Sequence, residues 1–535
     1  MTQHTFDPFD PAVRRNPYPA YTALRQQEGV AQVPGLGFVV SRHADVFAVL
    51  RDPELFSSAA MDAVVRRPVD FAPADGDRSP DPNAASLIGS DPPIHTRLRG
   101  IVNRGFIPRR ISALEPRIRQ IATALADRLA TAKECDLVAD FAVPLPVTVV
   151  AELLGIDRER HQDFKRWSDA MMRAVFDAPG AEEAAGITQC LEEMNTYLEE
   201  VIAARQRQPE DDLLTVLVQA ETSAAALSTD EVKIFAFTLL VAGNVTTTHL
   251  IANATLALLA HPAELAKVTA DRGLVPDLVE EALRYDNPVQ LLFRTATRDT
   301  VLAGTPIPAG SVTAPLFASA NRDERVFRDP DRFDISRKPL DHVAFGHGIH
   351  FCLGAALARL EARVAFDVLL ARIRRPVLLE EEITWVDSFV MRGPRRLRLG
   401  FETATIPRRR VEPCEDPEAL VRRFVAAWSR LDPEELADYF TDDATYHNVP
   451  LEPVTGRAGI EQLIRTFTAS WTATDWQLRH VIAAGNVVIA ERIDRTWAGD
   501  RSVALPIVGV FELERGKIKC WRDYFDLATY AQALG

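Results

Sequence analysis

The spacing of apolar residues predicts a series of amphipathic helices in the first 402 residues. In 353–371, Leu353, Leu357, Leu360, Val364 and Val368 follow one another at intervals of 4, 3, 4 and 4, which places them on one helix face. The same periodicity predicts further helices over 114–131, 192–205, 229–261 and 274–285. Short strand patterns occur near 37–42, 293–310 and 395–402. The predicted fold class of this part is mostly α with minor β.

The pattern changes after residue 402. The segment 403–416 (TATIPRRRVEPCED) contains two prolines and three consecutive arginines without periodicity, which is typical of a linker. Two predicted helices follow, over 417–429 and 433–440, and then strand patterns over 445–450, 480–498, 502–516 and 517–526. About 120 residues is a normal size for an independent α+β domain. We therefore predict two domains, 1–402 and 417–535, joined by the linker.

Composition narrows the class of protein without identifying it. The 535 residues are 47% hydrophobic and 25% charged, and their formal net charge of −14 argues against a nucleic-acid partner. The N-terminus lacks the apolar core of a signal peptide, and no stretch approaches the roughly 20 apolar residues that cross a bilayer. The five cysteines are odd in number and irregularly spaced, which does not suit a disulfide framework. We expect a cytoplasmic protein without a membrane partner.

The segment 345–363 (FGHGIHFCLGAALARLEAR) carries the first candidate chemistry. Cys352 lies immediately before a predicted helix, in a loop punctuated by Gly346, Gly348 and Gly354. Glycines allow the backbone to approach a flat ligand, and a helix N-terminus lowers the pKa of a thiol. A thiolate held in this way can ligate haem iron. An isolated cysteine at such a place would more often be a small buried residue beside a helix cap, but the surrounding pattern argues against that interpretation.

This segment resembles the cysteine-ligand loop of the cytochrome P450 family. The matching positions are Phe345, Gly348, His350, Cys352 and Gly354. The resemblance implies the cytochrome P450 fold and haem b, with Cys352 as the metal ligand. The resemblance extends over 1–402. Glu281 and Arg284 match a charged pair on a helix of the family, and Arg332 would complete this pair. Four further residues match the positions that bind the haem propionates: His95, Arg99, Arg294 and His350.

The segment 239–254 resembles the family's oxygen-binding helix, with one departure. Ala242 and Gly243 match the residues that widen the helix beside the iron, and Thr246 matches the threonine that forms hydrogen bonds at the oxygen site. The residue before this threonine is normally acidic, but here it is Val245, which cannot transfer a proton. Proton delivery must then use Thr246, water, Asn244 or a group of the substrate.

The family resemblance also implies molecular oxygen and a lipophilic small-molecule substrate. No GxGxxG motif after a strand and no cysteine cluster is present, so electrons should come from NAD(P)H through a separate ferredoxin and reductase. The basic segment 97–110 is a candidate docking surface for the ferredoxin, and a solvated face with propionate ligands is an equal alternative. The expected substrate-pocket walls are 60–88, Phe237, Val241, 289–292, Phe389 and Val390.

Polar residues in the predicted C-terminal strands form the second candidate site. Arg492 and Asp494 alternate onto one strand face, Tyr446 and Asn448 share a face of another strand, and Asp523 lies in the last strand. If these faces meet, an arginine bridges two carboxylates, so that one carboxylate stays ionised as a base while the other holds a proton as an acid. The alternative is surface ion pairing, which we would favour for Asp494 alone.

Residues 417–535 resemble the limonene-1,2-epoxide hydrolase family. That family is a branch of the cone-shaped, curved-sheet folds described as NTF2-like or SnoaL-like, which also include ketosteroid isomerase. All five positions match its site. The resemblance implies that Asp523 deprotonates a water held by Tyr446 and Asn448. It implies that Asp494 protonates the epoxide oxygen and that Arg492 links the two carboxylates.

The two resemblances together predict a bifunctional enzyme. Haem-dependent monooxygenation, in particular epoxidation of an alkene, would be followed by hydrolysis of the epoxide to a vicinal diol. Two alternatives remain open for the C-terminal domain: a non-catalytic binding or dimerisation module beside a hydroxylating P450, or an epoxide-opening cyclase or isomerase. A further alternative concerns the haem domain: Val245 would mark a domain that no longer activates oxygen in the usual way and uses, for example, peroxide. Relatives of the small domain pair through their sheets, so we also expect a homodimer.

Overall fold

The chain folds into two compact units, Met1–Ala404 and Thr405–Gly535. The computed structural model describes residues 6–61, 84–176, 181–219, 227–338, 341–403, 416–449, 452–499, 501–526 and 529. Most of the pocket loop expected at 60–88, and most of the linker expected at 403–416, lie outside the described residues.

Helices dominate the larger unit. In chain order they are α1 (Pro11–Arg15), α2 (Tyr18–Gln26), α3 (His43–Arg51), α4 (Ile94–Val102), α5 (Pro108–Ala113), α6 (Glu115–Leu129), α7 (Pro144–Leu153), α8 (His161–Phe176), α9 (Ala181–Arg207), α10 (Leu213–Val218), α11 (Thr229–Ala260), α12 (Pro262–Ala270), α13 (Val275–Tyr285), α14 (Phe317–Ala320) and α15 (Ala355–Arg372). Each of the five helices that periodicity predicted has its counterpart here, although α9 begins eleven residues before the expected 192–205. The prediction of a mostly α fold is confirmed.

The strands of the larger unit are short. They are β1 (Ala31–Val33), β2 (Gly37–Val40), β3 (Phe56–Ser57), β4 (Glu134–Asp136), β5 (Arg294–Ala296), β6 (Thr300–Leu302), β7 (Thr305–Ile307), β8 (Val312–Pro315), β9 (Ile373–Leu378) and β10 (Arg398–Thr403). Among the described residues they form three sheets, in the orders β1-β2-β8-β5-β3, β4-β10-β9 and β6-β7. The strand pattern expected at 293–310 is divided among β5, β6 and β7.

Helix α11 is the core helix of this unit. It begins with a capping box, in which the Ser228 hydroxyl accepts from the Glu231 N–H at 3.1 Å and the Glu231 carboxylate accepts from the Ser228 N–H at 3.0 Å. By length and composition α11 could cross a bilayer, so the expectation that no stretch approaches that length was wrong. However, 67% of its most apolar window is buried inside the unit, as in the core helix of a globular domain.

A buried ion pair within α13 binds the segment that follows α14. Arg284 donates to both carboxylate oxygens of Glu281 at 2.8 Å, and neither side chain is accessible to solvent. The sequence indicated Arg332 as the third member, which was wrong for its side chain: Arg332 is exposed, and only its carbonyl accepts from Arg284, at 3.2 Å. The side chain that reaches Glu281 is that of Arg337, at 3.4 Å. Arg337 is the more buried of the two arginines, and an unpaired charge is costly inside a protein. Arg337 therefore pairs with Glu281, while the charge of Arg332 stays in solvent.

The smaller unit is one sheet covered by helices. Its elements are α16 (Pro417–Ala427), α17 (Pro433–Asp438), β11 (Phe440–Val449), β12 (Val454–Thr455), α18 (Arg457–Thr468), β13 (Ala473–Ala484), β14 (Val487–Ala498), β15 (Arg501–Glu514) and β16 (Lys517–Tyr524). The strand order is β12-β11-β16-β15-β14-β13, with β11 parallel to β16 and the other pairs antiparallel. The α+β class is confirmed, but α18 and the first half of β13 were not predicted.

Alternation along the strands separates the two faces of this sheet. On β14 the buried positions are Val488, Ala490, Arg492, Asp494 and Thr496, and on β15 every second residue from Val503 to Leu513 is buried. The inner end of the sheet packs its apolar residues against Phe424 and Trp428 of the helical layer. The same face therefore carries the core and, further along the strands, the polar residues singled out by sequence.

Candidate active sites

Cys352 ends a tight loop directly before α15. Its backbone N–H donates to the carbonyl of Phe345 at 3.0 Å, which folds the loop back on itself. Gly348 has a φ of +72°, and a Cβ there would lie 2.5 Å from the carbonyl oxygen of Leu50, so only glycine fits. Phe351 and Cys352 are exposed, whereas Ala355 at the start of α15 is buried. The loop thus leaves the thiol accessible to a ligand.

The pKa of Cys352 differs from the sequence-based expectation. Although Cys352 is accessible, the protein atoms packed around its thiol exclude much of the water and raise its pKa. This desolvation outweighs the lowering by the N–H groups of Gly354 and Ala355 and by the charges of Arg99 and Arg359. A helix N-terminus alone therefore does not make this sulfur anionic. A bound metal cation would supply the stronger stabilisation, because a thiol that coordinates a metal is deprotonated outright.

The residues expected at the oxygen site lie on α11, at a place where this helix is accessible to solvent. Ala242 is exposed, and Gly243 and Thr246 are partly exposed, although α11 is otherwise largely buried. The Thr246 hydroxyl donates to the carbonyl of Ala242 at 2.7 Å. Asn244, one of the expected proton carriers, instead donates to Ser168 at 2.9 Å in the interior.

Four cationic or potentially cationic side chains gather beside the thiol. His95 and His350 have ring centroids 4.4 Å apart, and His350 also contacts the Ser58 hydroxyl at 3.0 Å. Burial lowers the pKa of Arg294 to about 10, and burial together with Arg294, His95 and Arg99 lowers the pKa of His350 to about 3. Burial and the charge of Arg99 also lower the pKa of His95. Burial and the charges of the two arginines thus keep both histidines neutral, and a negative charge among these groups would favour their protonation.

The residues fit haem. Two arginines and two histidines suit two carboxylates, and among the described residues the buried Nε2 of His95 has no hydrogen-bond partner. Asp91, which accepts from the Ser58 N–H at 2.9 Å, supplies a nearby negative charge to His95 and Arg294. The residues that would hold the group are Cys352 at the iron and His95, Arg99, Arg294 and His350 at the propionates. Ala242, Gly243, Phe345 and Gly354 would lie against its ring.

The second site is centred on the buried guanidinium of Arg492. Its Nε donates to both oxygens of Asp494 at 2.9 and 3.1 Å, and its two terminal nitrogens donate to the oxygens of Asp523 at 3.0 and 2.5 Å. Arg492 is 0% exposed, and Asp494 and Asp523 are 4% and 2% exposed. The structure thus joins Arg492 and Asp494, which the sequence placed on one strand, with Asp523 of another strand. The surface-pair alternative for Asp494 is wrong, since the side chain is buried.

Tyr446 and Asn448 complete this site from β11. The parallel register between β11 and β16 places Asn448 opposite Asp523 and Tyr446 opposite Trp521. The Tyr446 hydroxyl donates to the amide oxygen of Asn448 at 2.7 Å, and its ring stacks on Trp521 with centroids 4.0 Å apart. The indole N–H of Trp521 donates to Asp523 at 2.7 Å.

The carboxyl groups of Asp494 and Asp523 differ in their hydrogen bonds and in the stability of their ionised forms. Burial raises the pKa of Asp494 to about 7, against the lowering effect of Arg492. Burial also raises the pKa of Asp523, but this group receives two bonds from Arg492 and one from Trp521, and all three favour its ionised form. Burial and the carboxylate of Asp523 raise the pKa of Tyr446, so its phenol stays neutral. An acid whose pKa lies near neutrality, beside a carboxylate whose ionised form is stabilised by hydrogen bonds, is a pair suited to acid–base chemistry.

Residues 38–394 match the family described as Cytochrome P450. The chain belongs to the cytochrome P450 family. Residues 415–534 match the family described as Limonene-1,2-epoxide hydrolase catalytic domain, so the smaller unit is a domain of that family. The units are called the P450 unit and the hydrolase-like unit below.

Several known proteins are similar to this chain over its P450 unit. Cytochrome P450 107B1 of Saccharopolyspora erythraea is 39% identical over 398 residues, which are 73% of this chain and 96% of that protein. The Cyclomarin C epoxidase CymV of Salinispora arenicola is 40% identical over 364 residues, 67% of this chain and 89% of the relative. The solved structure of CYP109Q5 from Chondromyces apiculatus has 42% identity and a TM-score of 0.67, covering 75% of this chain and 98% of that one.

Sequence reasoning did not assign a role to Trp521, Gly509 or Trp476, all of which contact the array formed by Asp494, Arg492 and Asp523. The signal for Trp521 was present, since it lies two residues before Asp523 on the same strand face. Gly509 pairs with Asp523 across β15 and β16. Trp476 lies opposite Asp494 on β13, a strand whose first half the sequence did not predict.

Gly509 leaves the space that the array occupies. A Cβ at this position would lie 2.5 Å from Nη1 of Arg492 and 2.8 Å from Oδ1 of Asp523. We expect Gly509→Ala to displace the guanidinium and to lower the epoxide turnover proposed below about 100-fold, since a shift of about 1 Å in a catalytic group has that effect. The measurement is the initial rate of diol formation from an added epoxide. Gly459→Ala in α18 is the control; equal rates for both variants would contradict the prediction.

Proposed function

We propose that the chain is a bifunctional oxygenase and epoxide hydrolase. The P450 unit converts an alkene of a lipophilic small molecule to an epoxide with molecular oxygen, and the hydrolase-like unit opens this epoxide with water to a vicinal diol. The observation that carries the proposal is the complete, buried array of Asp494, Arg492 and Asp523 with Tyr446 and Asn448, in the same chain as a P450. The likeness to an epoxidase supports the first step.

In the hydrolase-like unit, we assign Asp523 as the general base. Tyr446 and Asn448 lie next to it and hold the attacking water, because the Tyr446 hydroxyl and the Asn448 amide can both form hydrogen bonds with that water. As the new carbon–oxygen bond forms, the water gives a proton to Asp523 and the epoxide carbon–oxygen bond breaks. Asp494 donates its proton to the departing oxygen. Arg492 bonds both carboxyl groups and stabilises the charge as it moves between them.

An apolar cluster beside this site suits a lipophilic epoxide. Val503, Leu505 and Ile507 on β15 form a buried apolar cluster with Phe525 packed against it. Leu505 lies opposite Asp494 in the strand register, so the apolar wall adjoins the proposed acid. Exclusion of water from the epoxide by this wall favours transfer of a proton from Asp494.

In the P450 unit, we assign Cys352 as the iron ligand of haem b. Haem, when bound, supplies activation of oxygen for insertion into the substrate. Thr246 and ordered water beside it would carry protons, since Val245 has no polar group and Asn244 bonds to Ser168. Of the expected substrate-pocket walls, Val241, Val289, Leu292, Phe389 and Val390 are partly exposed, whereas Phe237 is buried.

We also propose the partners and domain limits expected from sequence. These are domains 1–402 and 417–535 with the linker 403–416, a cytoplasmic location, and electrons from NAD(P)H through a ferredoxin and reductase. Arg104, Arg109 and Arg110 are exposed on the basic segment, which supports docking of an acidic ferredoxin there.

A homodimer through the hydrolase-like unit is supported by its outer sheet face, where Ile482, Ile489, Val508 and Tyr524 are 65, 42, 41 and 45% exposed.

Oxygen isotopes test the reaction sequence. The full chain is supplied with ferredoxin, reductase, NAD(P)H and a panel of lipophilic alkenes, in ¹⁸O-labelled water or under ¹⁸O₂. We expect a diol that takes one oxygen from O₂ and one from water. A product with both oxygens from O₂, a mono-alcohol alone, or a cyclic ether without water-derived oxygen would overturn the proposed hydrolysis.

The pH dependence of the hydrolytic step follows from the raised pKa of Asp494. A general acid must carry its proton, so the rate should fall as pH rises through about 7, where Asp494 loses that proton. Initial rates of diol formation from an added epoxide between about pH 5 and pH 9 measure this limb. The variant Asp475→Asn, at an exposed position of β13, should keep the same limb. A rate that stays constant through this range would exclude Asp494 as the acid.

A further inference from the structure

The ring of Trp476 covers the guanidinium of Arg492. The carbon at the centre of the guanidinium lies 4.6 Å from the ring centroid, within the range of a cation–π contact. In the ladder of β13 and β14, Trp476 is directly opposite Asp494, and Leu478 is opposite Arg492. The indole therefore shares the inner face with both members of this ion pair.

Trp476 is itself held rigidly. Its ring stacks on Trp428 with centroids 4.1 Å apart and planes at 17°, and Trp428 is 1% exposed in the core of the unit. Trp428 in turn contacts Phe424 and Trp521. The indole is thus one layer of an aromatic stack that begins in the helical layer and ends on Arg492.

We propose that Trp476 is a positioning residue for the Arg492–Asp494 pair, which it holds in place and shields from water. The inference rests on the proposed epoxide hydrolysis, and it adds a residue to that site. A planar aromatic ring stabilises a cation over its face, and a desolvated cation gains most from such a contact. Leucine or methionine at this position would fill part of the space without offering that interaction.

Shielding by Trp476 has a consequence for the proton of Asp494. The groups that face Asp494 are Arg492 on its own strand, Asp523 on β16 and Tyr446 on β11, while β13 and β15 present the apolar Trp476 and Leu505. Burial is the largest cause of the raised pKa of Asp494. Admitting water beside this carboxyl favours its ionised form and lowers its pKa.

The experiment titrates the aspartate carboxyl carbons of the full chain by ¹³C NMR. The Asp494 signal is identified as the one lost in Asp494→Asn. We expect Trp476→Leu and Trp476→Met to lower its titration midpoint by about one pH unit, and Trp476→Phe to leave it within about 0.3. Trp497→Leu, an exposed residue at the end of β14, is the matched control and should leave the midpoint unchanged. An unchanged midpoint in folded Trp476→Leu or Trp476→Met overturns the proposal.

Turnover of added cyclohexene oxide is the second readout. We expect Trp476→Leu to lower kcat about tenfold with little change in KM, and to move the basic limb of the pH profile down with the titration midpoint. Trp476→Phe should restore both. A merely structural role would lower the amplitude and leave the limb in place. If the wild type hydrolyses neither this probe nor its own oxidation product, the proposed function fails, and the titration still decides the role of Trp476.

Discussion

Asp523→Asn should stop diol formation and cause the epoxide to accumulate. Asparagine preserves the shape of the side chain and can still accept from Arg492 and Trp521, but it cannot take a proton from water. General bases contribute about 10² to 10⁴ in rate, so we expect hydrolysis to fall by at least about 100-fold. The two products are quantified by mass spectrometry after turnover of an alkene by the full chain.

The P450 unit provides an internal control for this variant. Consumption of alkene and of NAD(P)H should be unchanged in Asp523→Asn, which shows that the chain is folded and that only the second step is lost. Glu512→Gln is the matched surface change, because Glu512 lies on the neighbouring strand and pairs with Arg522 on the outer face. Diol formation at the wild-type rate by Asp523→Asn would exclude this residue as the base and the hydrolytic role of the site with it.

Cys352→Ala should abolish monooxygenation altogether. Alanine cannot coordinate iron, and without a thiolate the cationic cluster of His95, Arg99, Arg294 and His350 alone would have to hold the cofactor. We expect the haem content of the purified chain to fall. The long-wavelength absorption band of the reduced carbon monoxide complex, from which the family takes its name, should disappear. The measurement is the difference spectrum of the full chain with and without carbon monoxide.

The second unit serves as the control for Cys352→Ala. Hydrolysis of an epoxide added from outside should continue, because Asp494, Arg492 and Asp523 lie entirely within Thr405–Gly535. Cys190→Ser is the matched thiol change, since Cys190 is a partly exposed cysteine on α9 of the P450 unit. Retention of the band after Cys352→Ala would show that another residue holds the iron.

Together the two variants separate the steps of the proposed sequence. Asp523→Asn should yield the intermediate, and Cys352→Ala should yield no product from alkene while still accepting the intermediate. Tethering two sites in one chain raises the effective concentration of one product at the other site to about the millimolar range. A mixture of the two variants should therefore restore the diol, but with more free epoxide than the wild type releases.

Much of the architecture was determined locally by the sequence. The apolar period of 3.6 predicted the helices α6, α11, α13 and α15, because apolar residues that recur at this spacing pack in a core. The period of two placed Arg492 and Asp494 on one face of β14, and the buried alternation of that strand agrees. The residue types around Cys352 indicated the family, and the family match agrees.

Only the tertiary structure decided which of these residues meet. Arg492 and Asp523 are 31 residues apart, and the strand order that joins β14 through β15 to β16 brings them together. Burial replaced Arg332 by Arg337 beside Glu281 and reversed the expected pKa shift of Cys352, since desolvation depends on every neighbouring element. Periodicity describes one element at a time. The space at Gly509, the ring of Trp476 over Arg492 and the pKa of Asp494 all depend on contacts between elements, which local sequence patterns do not specify.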